Sequence, residues 1–164
     1  MRRKEGFSLV ELLIVLAVMA ALIATITPVA LNAIRKAKAT QVAQNLKTLA
    51  SALENAAYVN GIDESNNYVK NSSGSALTLT DLGRDIDSAK YAVYYDVSSG
   101  TVEATVVSLE DVNLTIVQGI LSGVAQATYS AALIGSETSV TGSSWPSSLD
   151  GETLTYYNFD FTVY

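Results

Sequence analysis

Residues 4–16 read Lys4-Glu5-Gly6-Phe7-Ser8-Leu9-Val10-Glu11-Leu12-Leu13-Ile14-Val15-Leu16, and from Leu12 to Ile34 there follow 23 residues without a charge. At a rise of ~1.5 Å per residue, a helix of that length crosses a bilayer core of ~30 Å. Arg2, Arg3 and Lys4 precede the run. A short basic leader of this kind places the N-terminus in the cytoplasm and the rest of the chain outside. Arg35 and Lys36 at the far end pull the other way, but the leader is very short.

Hydropathy alone leaves three simpler readings open. A secretory signal would have the same charged start, with Ala-Leu-Asn-Ala ending at Ala33 as its cleavage site. A plain membrane anchor needs only the apolar run. A twin-arginine signal could start at Arg2-Arg3, although the next apolar residue is Phe7. None of them accounts for Glu11. A carboxylate in a membrane span costs roughly 2.5–3.5 kcal/mol or more and implies a partner. No Lys or Arg lies within one helical turn on its C-terminal side. Cleavage after Gly6 would create an α-amino group on Phe7, four residues before Glu11. That amine could pair with Glu11 of its own chain or of a neighbour, and the pair would recover part of the desolvation cost.

The stretch from Lys4 to Leu16 resembles the class III signal of type IV prepilins and pseudopilins: a basic leader ending in Gly, then Phe, a small hydroxyl residue, apolar residues and Glu. The resemblance implies that a membrane prepilin peptidase cuts between Gly6 and Phe7 and methylates the new Phe7 amine. It implies that Glu11 neutralises the amine of an adjacent subunit during assembly. It also implies that Pro28 matches a family proline that kinks the helix. Further implied partners are copies of the chain itself in a helical homopolymer, an assembly platform with a separate ATPase, and the membrane as the monomer's reservoir. The chain has Ala20 and Ala21 where the family often has a Gly before the proline, and with no Cys it lacks the disulfide of many Gram-negative relatives. The match is specific over residues 4 to 28 and extends to about Tyr58.

Beyond Pro28, Val42, Leu46, Leu49, Leu53 and Ala56 recur at helical spacing, among alanines that favour helix. Asn60-Gly61 is a helix stop. The spacing predicts a helix from about Ser8 to Tyr58, roughly 75 Å long at ~1.5 Å per residue. Its first half is apolar on all sides, suiting lipid and later other copies of itself; its second half is amphipathic, suiting a sheet. The expected division is a leader over 1–6, a helix over 7–58 (7–34 for membrane and assembly, 35–58 amphipathic) and a globular head over 59–164.

In the head, Ile62 to Ser75 is polar and predicts a surface loop. Tyr91–Val97 and Thr101–Val107 flank Ser98-Ser99-Gly100 and predict a hairpin. Ser108 and Asp111 suggest a capped helix from about Leu109 to Leu121, tempered by the β-branched run Thr115-Ile116-Val117. Gln126–Ile134 reads as a strand, Ser136–Ser148 as a loop around Trp145-Pro146, and Thr153–Tyr164 as a final strand rich in aromatics. The expected fold class is α+β, a long membrane-spanning N-terminal helix packed on an antiparallel sheet, as in pilins.

Charge and composition narrow the function. Net charge is −6, and after Lys47 only Lys70, Arg84 and Lys90 are positive against fourteen Asp and Glu from Glu54 onward. An acidic head is a poor match to nucleic acid. The chain has no His and no Cys, and it shows no phosphate loop or nucleophile elbow. The sequence predicts a structural protein, with no catalytic residue, cofactor or metal assigned. Asp81, Asp85 and Asp87, and Asp150 with Glu152, offer oxygens suited to Ca²⁺ but lack EF-hand spacing. The nine tyrosines suit strands, and none lies between Phe7 and Tyr58. Two function classes remain. One is a filament subunit, with pilus subunits and the pseudopilins of type II secretion or DNA uptake falling under the same resemblance. The other is a monomeric membrane-anchored binding module.

Overall fold

The computed structural model describes residues 7–130, 134 and 138–164. The first element is one helix, α1 (Leu9–Asn60), which runs through Pro28 without a break. Gly61 follows at φ +81°, the left-handed geometry that ends helices, and donates its amide to the Ala57 carbonyl. The chain falls into two compact units, residues 1–37 and 38–164. In the first, every described residue is exposed, including the large apolar side chains from Leu9 to Ile34.

In the second unit, α1 turns amphipathic. Ala39, Val42, Ala43, Leu46, Leu49, Ala50, Leu53 and Ala57 are buried. Their steps of three and four put them on one face. Ala57 is buried where the spacing suggested Ala56, which is only partly covered. The alanines among them let the helix lie close to a sheet.

That sheet has five strands: β3 (Tyr91–Ser98), β4 (Thr101–Ser108), β5 (Val124–Thr128), β6 (Thr138–Val140) and β7 (Thr153–Thr162). Their order is β5-β7-β4-β3-β6, and every neighbouring pair is antiparallel. The sheet is the α+β architecture expected from the sequence. β3 and β4 form the predicted hairpin, closed by Ser99 (φ +52°) and Gly100 (φ +77°). Two positive φ values make a tight turn whose twist matches the strands.

Period-2 alternation sorts the sheet residues onto two faces. Val93, Tyr95, Val97, Val102, Ala104, Val106 and Phe161 join α1 in the main core. Ala92, Tyr94, Val107 and Leu154 point the other way and form a smaller core with Ile134 and Leu149. Leu109, Tyr129, Trp145 and Tyr156 pack against it.

Four local expectations are corrected. The segment 62–75 is not simply a loop: β1 (Ile62–Asp63) and β2 (Tyr68–Val69) pair within it. Asn67, at φ +53°, clamps it to the sheet; its side chain accepts from the Val97 amide at 2.7 Å and donates to Asp96 at 2.8 Å. The helix expected from Leu109 is the five-residue α3 (Leu114–Gln118). Ser108 cannot cap a helix because it ends β4, paired with both Tyr91 and Thr155; Asn113 caps instead, accepting from the Ile116 amide. The strand expected over Gln126–Ile134 is β5, Val124–Thr128, with positions 131–133 of that expectation lying outside the described residues. The Ser136–Ser148 loop contains β6. A short helix, α2 (Leu79–Leu82), is not expected from the sequence.

Candidate assembly site

Gly6 and the leader, residues 1–6, lie outside the described residues. Phe7 is 82% exposed. Ser8 stands immediately before α1, and its Oγ accepts from the Val10 amide at 3.3 Å. The Glu11 carboxylate reaches back in turn, Oε2 accepting from the Ser8 amide at 2.9 Å. The arrangement is half of a capping box, with the Ser8 hydroxyl on the second rather than the third helical amide, and it satisfies two of the amides left without partners at a helix start. The carboxylate also sits in the first turn, where the helix dipole favours negative charge. Residue type alone marks Glu11 only as an acid without a cation nearby. The signal for its capping role is the Ser-x-x-Glu spacing.

Pro28 lies inside α1, in its apolar half. Its ring leaves the helix without one amide donor. Two hydroxyls are absorbed nearby: Thr25 Oγ1 donates to the Leu22 carbonyl at 2.9 Å and Thr27 Oγ1 to the Ile23 carbonyl at 2.7 Å. Back-bonding of this kind lets threonine sit in an apolar helix without an unsatisfied hydroxyl.

Several charged groups of the head are engaged locally. Glu110, its side chain 14% exposed, accepts from Lys38 of α1 at 2.8 Å and from Lys90 at 2.7 Å. Burial pushes its carboxyl up, but the hydrogen bonds and charges of the two lysines outweigh burial and hold it below the usual glutamate range. Asp81 accepts from the Thr78 hydroxyl and amide, which hold its carboxyl low. Asp87 accepts from the Ala89 amide at 3.0 Å and lies 3.7 Å from Lys90. Among the described residues, no three acidic side chains gather where they could hold a metal ion.

Residues 1–27 match the family model of the prokaryotic N-terminal methylation motif. The chain carries the class III signal of type IV pilins. No curated protein and no solved structure matches the chain. The class III signal thus rests on the N-terminal segment, and α1, which it opens, is long and apolar enough to cross a membrane. Signal and helix together fit membrane anchoring and a filament.

Proposed function

We propose that the chain is the precursor of a structural subunit of a type IV pilus-like filament. The observation that carries this reading is continuity: the helix that begins at the methylation motif is the same helix that supplies the core of the head. An anchor or a cleaved signal has no need to be one helix with the domain it delivers.

In this reading the leader stays in the cytoplasm and the head lies outside. Prepilin peptidase cuts between Gly6 and Phe7 and methylates the Phe7 amine. Residues 7–34 hold the subunit in the membrane. An assembly platform driven by a separate ATPase then moves the apolar half from lipid into a bundle of like helices, a transfer with little change in hydrophobic free energy. Glu11 sets register. Its Oε2 holds the Ser8 amide, and the carboxylate's second oxygen takes the Phe7 amine of a neighbouring copy. A subunit out of register would bury an unpaired charge. Repeating the contact without closure gives an open helical fibre. Pro28 is the point at which the helix bends during that packing.

Mass spectrometry of the mature N-terminus tests the reading. A chain starting at N-methyl-Phe7 supports it. A chain starting at Met1 identifies a membrane-anchored module, and one starting at Ile34 a secreted form.

A further inference from the structure

The face of the sheet turned away from α1 carries a cavity of about 400 Å³, walled by Tyr94, Tyr129, Trp145, Ser139, Thr141 and the turn from Pro146 to Asp150. Its size lies within the range of small-molecule sites, about 300–1,000 Å³. We propose that this cavity binds a neutral pyranose sugar.

Three observations carry the inference. First, the aromatic wall is fixed in place. Trp145 Nε1–H donates to the Tyr94 hydroxyl at 3.1 Å, and Tyr94 belongs to β3 at the heart of the sheet. Trp145 and Tyr129 both pack on the smaller core yet are only partly buried, so their rings keep some surface for a ligand. An aromatic ring held before binding loses little freedom on binding. Second, the remaining wall is hydroxylic: Ser139, Thr141, Ser147 and Ser148 line it together with the Asp150 carboxylate. Such groups give up water only to a ligand that returns hydrogen bonds. A sugar ring meets both demands, with C–H faces for the aromatics and hydroxyls for the rim. Third, no Lys or Arg lines the cavity among the described residues, and Asp150 repels anions. Phosphorylated and acidic ligands are thereby disfavoured. A quaternary ammonium would suit the aromatic faces but would leave the hydroxyls unpaired.

The proposal does not depend on the filament reading. Trp145 is the chain's only tryptophan, so its emission reports the cavity directly. The full chain in a detergent free of sugar and choline is titrated with glucose, galactose and N-acetylglucosamine over about 1–100 mM, the range of weak single-site binding. A saturable change with at least one sugar is expected. Asp150→Asn and Tyr129→Ala should each raise the half-saturation concentration at least tenfold. Asp150 is exposed, so the Asn variant keeps the fold, and circular dichroism of both variants checks this. The proposal is overturned if no sugar saturates, if Asp150→Asn leaves the titration unchanged, or if choline chloride alone gives the response.

Discussion

The Ser8 amide and the Glu11 carboxylate lie 2.9 Å apart, so the one acid of the apolar segment is already bonded to its own chain. Capping and register are then separable roles. Glu11→Gln keeps an acceptor for the Ser8 amide and removes the charge; Glu11→Ala removes both. If charge pairing sets register, both variants insert into the membrane and both fail to form sedimentable fibres. Wild-type fibres from Glu11→Gln would leave Glu11 with the cap alone, a contribution of about 1 kcal/mol.

Processing gives an independent check. Gly6→Ala should leave membrane insertion unchanged and slow removal of the leader, seen as accumulation of the longer chain on a gel. Removal at the normal rate would place the cut elsewhere.

The Glu110 cluster makes a pH prediction. Because the folded carboxyl is held below the ordinary value of 4.5, its contribution is fully present above that pH and is lost as pH falls through the depressed folded value. Melting temperature should therefore drop as pH falls below about 4.5, and Glu110→Gln should flatten part of that drop. Near neutral pH the variant should lose about 1 kcal/mol, since both lysines are half-exposed and solvated. Parallel melting profiles for the two chains across the acid range would show that the cluster contributes nothing.

Gly142 is required by space. A Cβ placed there would lie 2.1 Å from the Ser88 Cβ and 2.9 Å from the Ser88 carbonyl oxygen. Gly142→Ala should destabilise the head by about 1–3 kcal/mol, as overpacking does. Ser88→Gly in the same chain should recover part of the loss, whereas an unchanged denaturation midpoint in Gly142→Ala would show that the two segments move apart freely.

The parts of this fold that are legible in the sequence are those where one local pattern decides the outcome. Leu46, Leu49 and Leu53 announce the buried face of α1, and Ser99-Gly100 between two β-rich runs announces the hairpin. The illegible parts depend on distant partners. Thr138-Ser139-Val140 has the composition of a loop and becomes β6 only because β3 offers it an edge. Ser108 looks like a helix cap until its pairing with Thr155 is known. Trp145 reads as a loop residue, and its bond to Tyr94 spans 51 positions of chain. In the N-terminal segment, Phe7, Glu11 and Pro28 can all be singled out by residue type. The Ser8–Glu11 bond stays hidden as long as the acid is weighed against lipid rather than against its own backbone.

β7 comes seventh in the sequence yet lies second in the sheet, bonded to β4 on one side and β5 on the other. A ribosome delivers residues 124–128 well before the strand that must receive them. Until positions 153–162 arrive, β5 has no place to dock and the aromatic side of the sheet stays open. The head is therefore a late closer: the sheet becomes continuous only once positions 153–162 have joined two strands made before them, a long-range pairing that local structure cannot replace.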